Sequence, residues 1–364
     1  MFGGIATAGG LVAALGTVPA DAATRAADPG KLLWRAQAGS GADSTPTVIA
    51  ADGVVYAAIG GHSGTEAIDA ATGKLAWQTQ GPEIYAAGAT AAFGFEVTSS
   101  RTTVVALNAT SGQTLWTHDA GKLLDNAAVG WLGYAGQLVY IAAGTTELTA
   151  TEQPSVRALN AQTGQRVWGV SLTAASQEPA VAGGIVYACT SSRVVALNGA
   201  TGARQWESAE LSGIPGNLLA IDGVICGSAI TNSLGLTTFG LDGATGRRLW
   251  HAELDGFAVA AANGLIFFMS SSITGGGAGQ STVWARHAQS AKLAWTRTFP
   301  QGAPYAPGGV LYMGCGDGKL YAVAPGTGHT LWTYRLATAV ADVAAADGVV
   351  YAADANGTVY AFQA

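Results

Sequence analysis

The chain has 364 residues, of which 49% are hydrophobic and 11% are charged, and it contains 52 glycines. This composition excludes disorder as the main state and is typical of a β-rich fold with many tight turns. The formal net charge is −6 and no cluster of Lys or Arg occurs, so we expect no nucleic acid partner.

The chain begins with an apolar run of small residues from Gly3 to Val18, which a small-x-small pattern follows at Pro19 to Ala23. Such a run is typical of the hydrophobic part of a secretion signal. Because the first cation is Arg25, three interpretations stay open: a twin-arginine export signal without its basic front, the end of a membrane anchor, or a disordered leader without targeting meaning. We assign residues 1–29 to a signal-like or anchor-derived leader. We expect a secreted or envelope-associated, extracytoplasmic protein that meets a membrane only through such an anchor.

Tryptophan recurs through the rest of the chain at intervals of roughly 37 to 52 residues, which is the period of a propeller blade. Each Trp follows a phrase of the form apolar-apolar-Ala-Leu-Asp/Asn-x-x-Thr-Gly. The phrase predicts a β-strand, a tight turn in which Asp or Asn bonds its own backbone and Gly takes a positive φ, and an outer strand that carries the Trp. The structural repeat tryptophans are Trp34, Trp77, Trp116, Trp168, Trp206, Trp250, Trp295 and Trp332.

A second kind of turn precedes each phrase. It is seen at Ala51-Asp52-Gly53 and Ala346-Asp347-Gly348, and an alternating strand such as Val54 to Ala57 follows it. Each repeat therefore predicts a blade of four antiparallel strands.

The two ends of the repeat region complement each other. The chain ends on the strand-like stretch Thr358 to Ala364 without an outer Trp strand, whereas Gly30 to Trp34 is an outer Trp strand without inner strands. Pairing them completes a blade and hides two sheet edges. The sequence therefore predicts an all-β, eight-bladed, monomeric β-propeller over residues 30–364, with its last blade closed by the N-terminal strand.

The Trp phrases and the Ala-Asp-Gly-Val-Val-Tyr turns resemble the pyrroloquinoline-quinone-like (PQQ-like) repeat, from about Lys31 to Ala364. That family includes extracytoplasmic sensor propellers of bacterial receptor Ser/Thr kinases, the propeller lipoprotein of the outer-membrane β-barrel assembly machinery, and quinoprotein alcohol dehydrogenases. For a dehydrogenase, the resemblance implies PQQ, a Ca²⁺ held by Glu, Asn and Asp, a catalytic Asp, and commonly a disulfide between adjacent cysteines.

The residues that such chemistry needs are not evident in the sequence. The three cysteines, Cys189, Cys226 and Cys315, are far apart, the five histidines are scattered, and neither a nucleophile elbow nor a phosphate-binding loop occurs. We therefore expect no catalytic residue, no metal site and no cofactor, with PQQ and calcium only under the dehydrogenase alternative. An outer-membrane assembly lipoprotein would carry a lipobox cysteine near its N-terminus, and no cysteine precedes Cys189.

Candidate binding residues lie between each Trp strand and the following Gly turn, where loops enter the innermost strands around the mouth of the central channel. Their polarity predicts an acidic rim for a cation, a basic peptide or a polyhydroxylated ligand, and ordinary solvated loops explain it as well. Trp131 is either a stacking platform for a sugar or aromatic ligand or an inter-blade packing residue. The rim candidates are Asp43, Glu83, Asp125, Asn126, Gln177, Glu178, Asn217, Asp255 and Asp342.

Two insertions, Gly144 to Pro154 and Ser270 to Gln280, are predicted to extend hairpins on the same side as this mouth. Taken together, these features favour a non-catalytic extracytoplasmic binding module, either a protein scaffold or a ligand sensor, the sensor part of a receptor Ser/Thr kinase being one form of the latter. Its partner would be an unknown protein or a small polar ligand. A PQQ- and calcium-dependent dehydrogenase and an outer-membrane assembly scaffold are the alternatives.

Overall fold

The structure is a computed structural model. It describes residues 28–39, 46–59, 64–98, 101–121, 131–143, 155–172, 179–231, 235–253, 256–272 and 279–364. Within these residues the chain forms 32 strands, β1 to β32, and one short 3-10 turn at Pro307–Gly309. No helix in the described part is long and apolar enough to cross a membrane.

The strands form eight four-stranded antiparallel sheets, which we number as blades I to VIII. Blade I contains β2 (Thr47–Ala51), β3 (Val54–Ile59), β4 (Gly64–Asp69) and β5 (Leu75–Thr79). Blade II contains β6 (Glu83–Ala87), β7 (Ala91–Val97), β8 (Thr102–Asn108) and β9 (Thr114–Gly121). Blade III contains β10 (Trp131–Ala135), β11 (Leu138–Ala143), β12 (Ser155–Asn160) and β13 (Arg166–Ser171). Blade IV contains β14 (Ala180–Ala182), β15 (Ile185–Cys189), β16 (Val194–Asn198) and β17 (Arg204–Glu207).

The remaining blades follow the same order along the chain. Blade V contains β18 (Ile214–Ile221), β19 (Val224–Ile230), β20 (Leu236–Asp242) and β21 (Arg248–Glu253). Blade VI contains β22 (Phe257–Ala262), β23 (Leu265–Ser272), β24 (Gln280–His287) and β25 (Leu293–Pro300). Blade VII contains β26 (Gly302–Tyr305), β27 (Leu311–Cys315), β28 (Lys319–Val323) and β29 (Thr330–Arg335). Blade VIII contains β30 (Val340–Ala346), β31 (Val349–Asp354), β32 (Thr358–Gln363) and β1 (Leu32–Gln37).

Blade VIII joins the two ends of the chain, as the sequence predicts. β1 pairs with β32 antiparallel, with Trp34 opposite Ala361 and Gln37 opposite Thr358. Backbone hydrogen bonds extend this pairing beyond the strands, from Gly30 N–H to Gln363 C=O and from Ala38 N–H to Gly357 C=O. The eight-bladed, all-β architecture closed by the N-terminal strand is therefore confirmed.

The repeat tryptophans lie on the outermost strands and connect neighbouring blades. The indole N–H of Trp77 donates to the Ala109 carbonyl of blade II at 2.9 Å, and that of Trp116 donates to the Ala161 carbonyl of blade III at 2.9 Å. A net contribution of about 1 kcal/mol is usual for such a bond, and the buried ring adds apolar area. Equivalent bonds are made by Trp34, Trp168, Trp206, Trp250 and Trp295.

Except for Trp250, each repeat Trp ring lies against a glycine of the next blade. A Cβ atom on Gly112 would stand 2.6 Å from the Trp77 ring, and one on Gly30 would stand 2.7 Å from the Trp332 ring. The contact between Gly30 and Trp332 continues this Trp–Gly pattern from blade VII to blade VIII, the blade in which the two chain ends pair. The turn glycine of the phrase therefore serves two purposes. It adopts a positive φ, and because it has no side chain the neighbouring indole can pack directly against it.

Blade VI departs from this pattern in two ways. Ala291 stands where the other turns have glycine, and it has a φ of 55°, which is costly for a residue with a Cβ. The insertion predicted from Ser270 to Gln280 is also shorter than expected, because Ser271 pairs with Ser281 within the β23–β24 ladder. The insertion from Gly144 to Pro154 and the leader before residue 28 lie outside the described residues.

Candidate functional site: the loop face

The ends of the strands define two faces of the propeller. We call one the loop face: it carries the loops that enter each first strand, such as 208–213 and 336–339, and the hairpins between second and third strands, such as 190–193. We call the other the turn face: it carries the remaining turns, such as 52–53 and 70–73. Of the candidates, Glu83, Trp131, Asn217 and Asp342 lie in the described residues, each on a first strand, and first strands begin at the loop face.

Asp342 lies on the first strand of blade VIII, next to a register irregularity between Val340 and Asp342. Its carboxylate accepts the backbone N–H of Val48, on the first strand of blade I, at 2.9 Å, and that of Val343 at 2.8 Å. Burial raises the pKa of Asp342 to about 7, and the two N–H donors act against that rise. The side chain therefore connects the first and last blades, in addition to its predicted place at the mouth.

Glu83 begins the first strand of blade II and stands opposite Phe95. Its Oε2 accepts the hydroxyl of Tyr85 at 2.7 Å. Burial, followed by the negative charge of Glu83, raises the pKa of Tyr85. The phenol thus remains a hydrogen-bond donor to the carboxylate.

Trp131 begins the first strand of blade III, as predicted. Its half-buried ring lies over Gly133, where a Cβ atom would overlap it, and packs against the core between blades III and IV. This placement favours inter-blade packing over an open stacking platform. The half-buried Asn217 lies in a register irregularity of β18 with a φ of 50°.

The structure therefore places Glu83, Trp131, Asn217 and Asp342 on the first strands of four different blades. The remaining predicted rim residues lie outside the described residues: Asp43, Asp125, Asn126, Gln177, Glu178 and Asp255. A ligand contact of any of these residues stays a prediction.

Charge is unequally divided between the two faces. Carboxylates of the described loop face are Glu66, Glu83, Glu96, Asp119, Glu207, Glu210, Glu253, Asp317, Asp342 and Asp354, and its cations are Arg101, Arg157, Arg193, Lys319 and Arg335. The described turn face has Asp28, Asp52, Asp69, Asp222, Asp242 and Asp347 against Lys31, Lys74, Arg166, Arg204, Arg247, Arg248, Arg286 and Lys292. The loop face is therefore net negative, whereas the turn face is slightly positive, and a cationic partner is attracted to the loop face.

Three exposed apolar residues of the loop face were not among the candidates predicted from the sequence: Ile214, Ile230 and Phe257. Each stands at a strand end, so an alternating pattern includes it without marking it as unusual. A comparison of the blades with one another would have found Ile230, because the corresponding residues are Ser271 in blade VI and Gly316 in blade VII.

A quinone and calcium site of the kind found in quinoprotein dehydrogenases does not fit the described residues. They contain no group of three or more His, Cys, Asp and Glu side chains close enough to hold a metal ion. Cys189, Cys226 and Cys315 are buried, free thiols on three different blades. We therefore derive no chemical step from a bound quinone.

The fold and the loop face together define a closed propeller of PQQ-like repeats with a negatively charged face. A family model described as outer membrane protein assembly factor BamB matches residues 2–96, 100–264 and 276–364. The chain therefore belongs to this family.

Solved structures show the same fold at low sequence identity. BamB from Moraxella catarrhalis is 19% identical, with a TM-score of 0.63 over 92% of this chain and 97% of that chain. The computationally designed Ika8 protein is 14% identical, with a TM-score of 0.70 over 92% and 100% of the two chains. Quinohemoprotein alcohol dehydrogenase from Comamonas testosteroni is 16% identical, with a TM-score of 0.65 over 93% and 78%. No curated protein sequence matches the chain significantly.

Proposed function

We propose that this protein is a non-catalytic, extracytoplasmic binding module whose loop face docks another protein. The observation that carries the proposal is the concentration of carboxylates on the face that also exposes Ile214, Ile230 and Phe257. Exposed apolar side chains within a charged rim are typical of protein interaction sites. The family description, which names an assembly factor of outer membrane proteins, supports a role in protein assembly outside the cytoplasm.

The proposal is tested by photo-crosslinking from both faces in cells of the source organism. A photoreactive amino acid replaces Ser212 or Ala337 on the loop face, and Ala71 or Ala244 on the turn face in the matched controls, all four being exposed. We expect the loop-face positions to crosslink to a discrete protein and the turn-face positions not to do so. Crosslinks from the turn face alone, or from no position, would overturn the proposal.

The proposal includes the absence of a bound quinone cofactor. Titration of the purified protein with PQQ and Ca²⁺ should leave the absorbance spectrum of PQQ unchanged, and alcohols or aldoses should not reduce an added dye. A saturable spectral change accompanied by dye reduction would instead support the dehydrogenase alternative. The quinohemoprotein alcohol dehydrogenase described above has the same fold as this chain.

The extracytoplasmic location is tested separately by fractionation. Tagged full-length protein should be released with the extracytoplasmic fraction, or be accessible to protease in cells whose outer layers have been removed. Its retention among protease-protected cytoplasmic proteins would contradict the location while leaving the binding role open.

A further inference from the structure

The interface between blades II and III carries three basic side chains near the outer surface of the propeller. His118 lies on β9 of blade II and stands opposite Val104. Arg166 lies on β13 of blade III opposite Leu159, and Arg157 is two residues before Leu159 on β12. Because Val104 and Leu159 pack in one buried cluster between the two blades, all three basic side chains face this interface. We call His118, Arg157 and Arg166 the II/III basic cleft.

Contacts across the interface show that the three side chains converge. Nη1 of Arg157 donates to the Ala120 carbonyl of blade II at 3.3 Å, so its guanidinium reaches from one blade to the other. Burial, together with the positive charges of Arg157 and Arg166, lowers the pKa of His118, because both arginines lie near the imidazole. A Cβ atom on Gly169 would stand 3.6 Å from Cγ of Arg157 and 3.8 Å from Cδ of Arg166. The aliphatic parts of both arginines therefore border this glycine.

Gly169 leaves a space that the other blades fill with a side chain. It follows Trp168, is exposed, and stands opposite Arg157 on the side of blade III that faces blade II. Every other repeat Trp is followed by a residue with a side chain, such as Thr117 or Thr333. Gly169 does not have a positive φ, so its backbone conformation does not require glycine. The space beside the two arginines is therefore specific to blade III.

Arg157 also departs from the pattern of the repeat. The third-strand residue opposite the residue that follows the Trp is Glu66 in blade I, and in six blades it is apolar or aromatic: Val105, Val195, Phe239, Trp284, Tyr321 and Tyr360. Val105, Val195 and Phe239 are no more than 2% exposed. Blade III instead has a half-buried guanidinium at a position that the fold elsewhere fills with apolar or aromatic groups. Packing of the propeller does not explain this cation.

No carboxylate neutralises the II/III basic cleft. Among the described residues, neither Arg157 nor Arg166 forms an ion pair. Asp119 is next to His118 but projects from the other side of the blade II sheet, where it pairs with Arg101 at 2.9 Å. A partly buried charge without an opposite charge is costly, so an anion in the cleft would be stabilising.

The cleft has hydrogen-bond donors to offer such an anion. Arg157 uses Nε for the Ser155 hydroxyl at 3.1 Å and Nη1 for Ala120, which leaves the N–H groups of Nη2. Arg166 is exposed beside it. Guanidinium groups bind the oxygens of phosphate in a bidentate manner. A bound anion also favours protonated His118, whose two ring nitrogens are both donors.

We propose that the II/III basic cleft binds a tetrahedral oxyanion of the phosphate class, either the free ion or the phosphate group of a monoester. Its oxygens lie over Gly169 and accept from Arg157 and Arg166, and two fixed positive charges match a divalent anion. This site lies on the outer surface between the loop face and the turn face, so it goes beyond the proposed docking function and does not depend on it.

The test measures binding of inorganic phosphate to the full chain by isothermal titration calorimetry at constant ionic strength, with glycerol 3-phosphate as the monoester probe. R157Q/R166Q removes the two guanidinium groups. Gly169→Thr keeps every charge and fills the space with a residue that three other blades have after their Trp. The matched control is R204Q/R248Q, because Arg204 and Arg248 precede the Trp of blades IV and V by two residues, as Arg166 does in blade III.

We expect saturable binding of phosphate to the wild type. R157Q/R166Q and Gly169→Thr should each raise the dissociation constant at least about tenfold, whereas R204Q/R248Q should change it less than about twofold. Tighter binding of glycerol 3-phosphate would identify a monoester as the ligand, and tighter binding of phosphate would identify the free ion. Absence of saturable binding of both probes, equal losses for the two arginine double variants, or unchanged binding to Gly169→Thr would overturn the proposal. Thermal melts establish that each variant is folded, and Arg166→Gln alone replaces R157Q/R166Q if the double variant does not fold.

Discussion

At the scale of single residues, the contact between a tryptophan and the glycine of the next blade explains most of the repeat. The glycine accepts a positive φ and leaves room for the indole, and a side chain at that position meets both a backbone penalty and a steric one. Seven blades have glycine at this position and blade VI has Ala291, so the effect of a side chain there can be tested within one protein.

Ala291→Gly should stabilise the protein. Ala291 holds a φ of 55° in the turn that accepts the Trp250 N–H through Ala288, and relief of that strain should exceed the entropy that glycine adds to the unfolded chain. We expect a gain of about 1 kcal/mol in the free energy of unfolding, measured by chemical denaturation.

The converse substitution, Gly164→Ala, is the control for that prediction. Its new Cβ would stand 2.5 Å from the Trp116 ring at a φ of 69°, so we expect a loss of roughly 2–4 kcal/mol. A neutral Gly164→Ala, or a destabilising Ala291→Gly, would contradict this account of the turn.

Asp342 makes a contribution to stability that depends on pH. Its pKa in the folded protein is about 7, above the ordinary value of 3.8, so between these values the folded state holds a proton that the unfolded state has released. The free energy of unfolding therefore falls as pH rises through this window. Asp342→Asn removes this pH dependence, and its amide NH₂ cannot accept the second of the two backbone N–H groups that the carboxyl oxygens accept. Relative to wild type, we expect the free energy of unfolding of the variant to rise by on the order of 2 kcal/mol between pH 4 and pH 8.

Chemical denaturation at pH 4, 6 and 8 provides the measurement for Asp342→Asn. The free energy of unfolding of the variant relative to wild type should rise steadily from pH 4 to pH 8. Asp347→Asn, which replaces an exposed carboxylate in the turn after the same strand, is the matched control. A difference for Asp342→Asn that stays constant with pH would show that its carboxyl does not titrate in this window.

At the scale of elements, β1 has a larger influence than its length suggests. It covers the edge of β32, carries Trp34 to the Ala70 carbonyl of blade I, and follows the Gly30 contact with Trp332 of blade VII. Three blades therefore depend on one six-residue strand.

Removal of residues 1–38 should lower the melting temperature by at least about 10 °C compared with the full chain, because it opens the ring and exposes a strand edge. Removal of residues 1–27 alone is the matched control, since β1 and the Gly30 contact remain. Equal melting temperatures for the two truncated proteins would contradict closure by β1.

The blades and their closure could be predicted because the constraints on them are local and repeat along the chain. Trp77 and Gly112, for example, recur in register with turns that only a few residue types accept. The contact of Asp342 with Val48 could not be predicted, since it joins residues 294 apart and depends on an irregularity in one strand.

At the scale of the whole molecule, the net charge of −6 does not show that positive and negative side chains are unequally distributed between the two faces. The loop face holds most of the carboxylates, whereas the cations of the third-to-fourth-strand turns, such as Lys74 and Arg247, lie on the turn face. Long-range attraction therefore orients a cationic partner towards the loop face before any contact forms. In the proposed function, the propeller supplies a rigid ring and the loops at one end contact the partner.

Selective neutralisation of one face at a time tests the docking role of the loop face most directly. One variant carries Glu96, Glu207, Glu210 and Glu253 changed to Gln, and its control carries Asp52, Asp69, Asp242 and Asp347 changed to Asn, a residue that other blades already have at these turn positions, as at Asn108 and Asn263. Binding of a fluorescein-labelled short peptide of alternating Leu and Lys to each variant is measured by fluorescence anisotropy as a function of salt concentration. Our account predicts that neutralising the loop face weakens binding at least about tenfold and flattens the salt dependence, while neutralising the turn face leaves both unchanged. Equal losses for the two variants, or a loss with the turn face alone, would contradict it.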